Sequence, residues 1–142
     1  MDYSFSLKNL QKQILIIDDD ALISKPICYA FRTSGFDVSV AENFEEAGEK
    51  LKRKTPHLIL LDLIVPGKIN GFDFLKSLKE HSTFSLIPVL VMSSLSQKDD
   101  IDFCFENGAK AYMVKSEFSL HDILKKAEEI LAEGEKEGVS TK

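Results

Sequence analysis

Short apolar runs alternate along the chain with stretches whose apolar residues recur at helical spacing, five times over. The apolar runs cover residues 14–17, 37–40, 58–61, 88–92 and 111–114. Four are β-branched or leucine-rich with few polar positions, the pattern of strands buried on both faces of a parallel sheet. The second, Asp37-Val38-Ser39-Val40, alternates polar and apolar and predicts an edge strand. Helix signals fill the gaps. Asn43 with Glu46 predicts a capped helix over 44–54, and Ser96 with Asp99 one over 97–107 that Gly108 stops. A third starts at Gly71 and buries Phe72, Leu75 and Leu78. Ser119 with Asp122 opens the last, where Leu120, Ile123, Leu124, Ala127, Ile130 and Leu131 form one stripe. The first helix, over 21–33 with Asp20 as its cap, contains Pro26 and ends at Gly35. Proline there requires a helix that starts late enough for its missing N–H to be one of the unpaired ones.

Strictly alternating strands and helices predict an α/β fold with right-handed crossovers. The polar edge strand selects a flavodoxin-like doubly wound (βα)5 architecture, a parallel five-stranded sheet of order 2-1-3-4-5. The domain is expected over residues 13–132, with an N-terminal extension over 1–12 and a flexible acidic tail over 133–142.

Composition narrows the setting. A chain of 142 residues fits one domain, leaving no room for an output domain of its own, so its effect is expected to lie in a partner. Eighteen basic against 23 acidic residues give a formal charge of −5, so no basic face and no nucleic-acid partner are expected. No apolar run approaches the roughly 20 residues that cross a membrane. The start, Met1-Asp2-Tyr3-Ser4-Phe5, has no signal-peptide pattern. Cys28 and Cys104 are too few and too far apart for a disulfide framework or zinc cluster. A reduced, cytoplasmic protein is the expectation.

In such sheets the ligand site lies at the carboxyl ends of the strands. There the chain places Asp18, Asp19 and Asp20 after the first strand and Asp62 after the third. Ser93 and Ser94 follow the fourth strand, and Lys115 the fifth. A single aspartate after a strand is ordinarily a turn or cap, and a single lysine a solvated one. Their convergence from four strands points to chemistry instead. Asp18, Asp19 and Asp62 contribute about −3, which one divalent ion and Lys115 bring to about zero. All-oxygen ligands select a hard ion, Mg²⁺ or Mn²⁺, whose remaining positions suit phosphoryl oxygens.

These segments resemble the receiver domain of bacterial two-component response regulators. The matching stretches are Ile14-Leu15-Ile16-Ile17-Asp18-Asp19-Asp20, Leu60-Leu61-Asp62-Leu63-Ile64-Val65-Pro66-Gly67 with Gly71-Phe72, Pro88-Val89-Leu90-Val91-Met92-Ser93-Ser94, and Gly108-Ala109-Lys110-Ala111-Tyr112-Met113-Val114-Lys115. The resemblance implies that Asp62 accepts a phosphoryl group from a sensor histidine kinase or histidine phosphotransfer protein. Asp19, Asp62 and the Ile64 carbonyl would ligate Mg²⁺ (or Mn²⁺), with Asp18 acting through water. Ser93 and Lys115 would bind phosphoryl oxygens, and Tyr112 would be the aromatic that moves as the Ser93 loop shifts. The species implied is a monomer or a weak, phosphorylation-dependent dimer, signalling in a phosphorelay.

Three positions depart from the family pattern. Pro66 and Gly71 are five apart rather than four, lengthening the loop after Asp62. Ser116 replaces a proline after the lysine, where a cis bond would cost about 2.5–4 kcal/mol without proline. Ser94 stands where alanine is frequent and keeps the site accessible. Ile64 and Leu95, two residues beyond Asp62 and Ser93, would flank a phosphoryl group with apolar side chains that cannot orient water, implying a long-lived signal. On the helix after Ser96, Ile101, Cys104 and Phe105 are expected to face the core, leaving Phe103 exposed as a partner anchor beside Tyr112.

Rival readings fit less well. A haloacid dehalogenase-type phosphatase needs a second aspartate where Ile64 stands. A flavin or nucleotide carrier needs a Gly- or Ser-rich first loop where Asp18–Asp20 would repel phosphate. The alternative that keeps all the residues is a phosphorylation-independent, receiver-like docking or scaffold module.

Overall fold

The computed structural model describes residues 7–10 and 12–140, with Lys8 and residues 136–140 described by backbone alone. The parts of the expected extension and tail at residues 1–6, 11 and 141–142 lie outside the described residues. Strands β1 (Gln13–Ile17), β2 (Asp37–Ala41), β3 (Leu58–Leu61), β4 (Val89–Ser93) and β5 (Ala111–Val114) form one parallel sheet. Its order is β2-β1-β3-β4-β5, as the edge-strand pattern predicts. Helices α1 (Ala21–Thr33), α2 (Phe44–Arg53), α3 (Gly71–Glu80), α4 (Lys98–Glu106) and α5 (Leu120–Ser140) connect and follow the strands.

Side chains alternate across each strand, so the sheet supports two cores. Leu15, Ile17, Ile59, Leu61, Val89 and Val91 pack under α2, α3 and α4. Ile14, Ile16, Leu58, Leu60, Leu90, Met92 and Met113 pack under α1 and α5. Both cysteines are buried and free, and burial pushes the Cys104 thiol up to about 11, where it is inert.

Local chemistry sets most boundaries. The Asp20 carboxylate accepts from the Leu22 N–H, and Asn43 from the Glu46 N–H, each capping its helix as expected. The Ser119 hydroxyl accepts from the Asp122 N–H while the Asp122 carboxylate accepts from the Ser119 N–H, a reciprocal cap. Gly35 and Gly108 have φ of 107° and 91°, and each closes the preceding helix with paired backbone bonds. Phe36 and Gly35 donate to Phe31 and Arg32, and Ala109 and Gly108 to Cys104 and Phe105.

Four expectations need correction. Ser96 does not cap α4: Gln97 occupies the cap position without a side-chain bond, and Ser96 lies one residue outside it. Pro26 is six residues into α1, not in its first turn. The helix tolerates it because Pro26 and Leu22, whose carbonyl loses its partner, both lie on the exposed face, open to water. Helix α5 continues to Ser140, through residues expected as a tail from Glu133. The stretch before β1 is not wholly loose: Leu7–Asn9 form a 3₁₀ turn, and Asn9 is buried. Asn9 is held there by hydrogen bonds to the Ser34 carbonyl and Glu128, contacts that a local reading does not see.

At the end of the sheet remote from Asp62, His57 clamps the start of β1. Its backbone N–H donates to the Gln13 carbonyl at 2.8 Å, and its Nδ1 accepts from the Gln13 N–H at 3.0 Å. Burial, reinforced by the Lys12 charge, lowers the His57 pKa below its ordinary 6.5. A lowered histidine pKa means that the unfolded chain binds the proton more readily. The neutral-state contribution is therefore complete above about pH 6.5 and is lost as pH falls through the folded-state value. Urea unfolding between pH 7.5 and 5.5 should show a loss of stability on acidification that His57→Asn diminishes. An identical pH slope in the two proteins would refute the clamp.

Candidate functional site

Strand register brings the acidic residues together. Ile17 pairs with Leu61, so Asp18 and Asp62 leave neighbouring strands at the same level. The ladder continues one step beyond them: the Asp62 N–H donates to the Ile17 carbonyl and the Asp18 N–H to the Ala41 carbonyl, both at 3.0 Å. Asp18 is 4% exposed and Asp62 6%, whereas Asp19 is exposed. One carboxylate oxygen from each of the three lies within 4.8 Å of the others.

Lys115 reaches this group from the far side of β4. Its Nζ donates to Asp62 Oδ2 at 2.8 Å and to Asp18 Oδ2 at 3.1 Å. The second oxygen of each aspartate is held by its own loop. Asp18 Oδ1 accepts from the Asp20 N–H at 2.9 Å, and Asp62 Oδ1 from the Ile64 N–H at 3.0 Å. These are matching Asx turns, with one oxygen fixed by the backbone two residues on and the other turned to the ammonium.

Burial pushes the Asp62 carboxyl above its ordinary pKa, and the Asp18 charge adds to the shift; the Lys115 ammonium and Ile64 N–H oppose it without cancelling it. For Lys115 the balance falls the other way. Burial alone would lower its pKa, but hydrogen bonds and charge from Asp62 and Asp18 outweigh this and hold it above the ordinary value. The lysine is thus firmly cationic, and the site carries one carboxylate that is costly to ionise.

The donor set fits a hard divalent cation. It offers three carboxylates and no histidine or thiolate, and one ammonium leaves the cluster net anionic. Exposed Asp19 opens the cluster to solvent, so an ion could keep water or accept phosphoryl oxygens.

The remaining predicted residues divide around this centre. Ser93 is fully buried and its Oγ accepts from the Leu95 N–H at 3.2 Å, while Ser94 is exposed. Tyr112 is half-buried, and its hydroxyl donates to the Leu95 carbonyl at 2.7 Å. Leu95 is therefore gripped at its N–H by Ser93 and at its carbonyl by Tyr112. The Ile64 side chain is 56% exposed beside Asp62, and Leu95 packs part-buried against the core. The Lys115–Ser116 bond is trans, as no described peptide bond is cis.

Phe103 is not the exposed aromatic of α4. It is half-buried and meets Phe72 edge to face with ring centroids 5.4 Å apart, whereas Phe105, expected in the core, is 48% exposed. Helix α4 turns Cys104 fully inward. That leaves residues 103 and 105 on opposite flanks, and the Phe72 contact takes Phe103. Helical periodicity cannot tell one flank from the other.

The sequence marks Gly71 as a helix start and as part of the receiver-like motif, but does not reveal its close packing against the Leu63 backbone. A Cβ there would lie 2.2 Å from the Leu63 carbonyl oxygen and 2.6 Å from the Leu63 Cα, so only glycine lets α3 approach the residue beside Asp62. Asn70 caps α3 by accepting from the Phe72 N–H at 2.7 Å. The Asn-Gly pair ahead of an apolar helix was the available signal.

An acid whose folded-state pKa is raised contributes its stability below the unfolded value and loses it as pH rises through the folded one. At neutral pH ionised Asp62 therefore costs stability. Asp62→Asn keeps the shape and an acceptor while removing the charge, and should raise the melting temperature of the metal-free protein by roughly 2–6 °C. The gain should shrink at pH 4. A lower melting temperature at neutral pH would show that the lysine contact outweighs the cost of the buried charge.

Comparison with known proteins agrees with this geometry. Residues 14–128 match the response regulator receiver domain family. The phosphate regulon transcriptional regulatory protein PhoB of Escherichia coli K12 is 33% identical over 106 residues, covering 75% of this chain and 46% of PhoB. The alkaline phosphatase synthesis transcriptional regulatory protein PhoP of Bacillus subtilis is 32% identical over 126 residues, 89% of this chain and 51% of PhoP. The chain thus spans about half the length of these curated relatives. Both are named as transcriptional regulators, so the expected absence of a nucleic-acid partner finds no support among them. Among solved structures, a CheY-like response regulator receiver domain protein from Methanospirillum hungatei JF-1 superposes with a TM-score of 0.81 at 27% identity, over 89% of this chain and 98% of that one. The match runs from the second residue of β1 well into α5, and the chain belongs to the response regulator receiver domain family.

Proposed function

We propose that the chain is a phosphorylatable switch whose acceptor is Asp62. The observation that carries this reading is the Lys115 ammonium, 2.8 Å from Asp62 and 3.1 Å from Asp18, at the base of a three-carboxylate cluster. A carboxylate oxygen of Asp62 attacks phosphorus and forms the O–P bond. The N–P bond of a donor phosphohistidine breaks, and the departing imidazole takes its proton from solvent. The donor class is a sensor histidine kinase or histidine phosphotransfer protein.

Lys115 neutralises charge on the transferring oxygens without reorganising, because it is already oriented by two buried carboxylates. Asp18, Asp19, Asp62 and the Ile64 carbonyl would hold Mg²⁺ or Mn²⁺, which supplies further neutralisation of the phosphoryl oxygens. Receiver domains are phosphoacceptors rather than classical enzymes, and this chain acts by changing state. Ser93 Oγ accepts from the Leu95 N–H and keeps its own O–H to donate to a phosphoryl oxygen, so a move of the hydroxyl toward that oxygen would pull on the Leu95 backbone. That shift reaches Tyr112 through the Leu95 carbonyl, and Tyr112 lies on β5 beside α4, where Phe105 is the exposed aromatic available to a partner protein.

Acetyl phosphate with Mg²⁺ should add the mass of one phosphoryl group to the native chain and none to Asp62→Asn. No gain, or an equal gain in the variant, would overturn the reading in favour of a phosphorylation-independent docking module.

The lifetime of the phosphorylated form follows from its neighbours. The Ile64 side chain is exposed two residues beyond Asp62, whose Oδ1 its N–H holds, and, like Leu95, it has no group to orient an attacking water. Self-dephosphorylation should be slow. Ile64→Asn with Leu95→Glu should shorten the lifetime about tenfold or more, within the 10²–10⁴ range that positioned acid–base groups supply. An unchanged lifetime would make both residues ordinary packing.

A further inference from the structure

The core-facing stripe of α5 ends at Leu131, and Ala132 to Glu135 are exposed, yet the helix continues to Ser140. With 21 residues it is about 31 Å long. Turns beyond a domain's core have little reason to stay helical, because short helices without tertiary contacts are marginal in water. Among the described residues, two side-chain contacts to the second half of α5, one at the end of the core stripe and one beyond it, come from the segment preceding β1. Asn9, 6% exposed, donates from Nδ2 to Glu128 Oε2 at 3.0 Å and to the Ser34 carbonyl at 2.9 Å. Three residues on, Lys12 pairs with Glu135. Glu128 and Glu135 are seven apart, two helical turns, so both carboxylates lie on one face of α5. A cavity of about 150 Å³ lies between segment and helix, lined by Asn9, Lys12, Glu128, Leu131, Ala132 and Glu135.

The segment is itself anchored. The Lys12 N–H donates to the Asn9 carbonyl at 3.1 Å, and the Lys12 carbonyl accepts from the Asp37 N–H at the start of β2 at 2.9 Å. Asn9 also holds the turn after α1 through Ser34. One short stretch thus ties together the start of β2, the end of α1 and the second half of α5.

We propose that Asn9 and Lys12 form a clasp that sets the length and direction of α5 beyond the domain core, with Asn9 gripping Glu128 and Lys12 gripping Glu135. The clasp makes the outer turns of α5 a switchable element: held, they project as a rigid rod; released, they fray back toward Leu131. The two grips act at different points, one buried and hydrogen-bonded to α1, the other near the surface and ionic. Salt therefore weakens the Lys12 grip before the Asn9 grip.

Hydrogen exchange followed by mass spectrometry on the full chain tests this. Asn9→Ala and Lys12→Glu should each accelerate exchange of amides 129–140 by about tenfold, with β3 and β4 amides unchanged. Reversing both charges, Lys12→Glu with Glu135→Lys, should recover at least half of the lost protection. Exchange in α5 within twofold of the native chain would overturn the clasp. So would equal acceleration in α5, β3 and β4, which would mark a loss of global stability, or a double reversal with no recovery.

Discussion

Two carboxylates buried side by side repel each other and forfeit hydration, and the ammonium of Lys115 makes their coexistence possible. Much of the architecture can be traced to that requirement. Asp18 and Asp62 must leave adjacent strands at one level, which the Ile17–Leu61 register provides. The cation must arrive from another strand, on a stem long enough to cross β4. Ser93, at the end of that intervening strand, is small and fully buried. A sheet of order 2-1-3-4-5 meets all three conditions at once. The compensation is incomplete: Asp62 remains harder to ionise than a free carboxyl, even with the lysine at 2.8 Å. A residual negative potential facing solvent through Asp19 is what a divalent cation needs.

The two loops beside this charge cluster are built differently. The loop after β3 is rigid by construction, with Asp62 locked in an Asx turn, Leu63 and Val65 buried, and α3 pressed onto the Leu63 backbone where no Cβ would fit. Residues 66–70, where the loop departs from the family spacing, lie between buried Val65 and the Gly71 contact. The loop after β4 depends instead on two hydrogen bonds to one residue, Leu95, from Ser93 and Tyr112. A fixed wall opposite a wall held by exchangeable bonds is the arrangement in which a new anion at Asp62 can be converted into movement.

The other end of the sheet has its own fastening. His57 exchanges two hydrogen bonds with Gln13, and the residues just before Gln13 run back onto α1 and α5. These polar contacts add to the apolar packing of Ile14, Phe31, Phe36 and Leu58 at that end. On the function proposed above, divalent ions and phosphoryl donors act at the Asp62 end of the sheet, and the pH dependence predicted for His57 belongs to the other.

The alternation of apolar runs and helical stripes was sufficient for the fold class, the strand order and the edge position of β2, because burial on two faces, on one face, or on a stripe each leaves a distinct period in the chain. It also located Asp18, Asp19, Asp62, Ser93 and Lys115 at one edge, since in a parallel sheet every strand ends on the same side. Caps such as Asp20, Asn43 and Ser119, and the stops at Gly35 and Gly108, were legible because their chemistry is local. What failed was whatever depends on a distant neighbour. Phe103 and Phe105 flank the same buried Cys104, and only Phe72 on another helix decides which of them is covered. Gly71 looks like any helix-starting glycine until the Leu63 backbone is placed against it. Residues 133–140 read as a polar tail, and Asn9 and Lys12 as a loose leader, because neither segment has a hydrophobic period. Long-range polar contacts leave no period in a sequence, so only the tertiary structure could bring these two segments together.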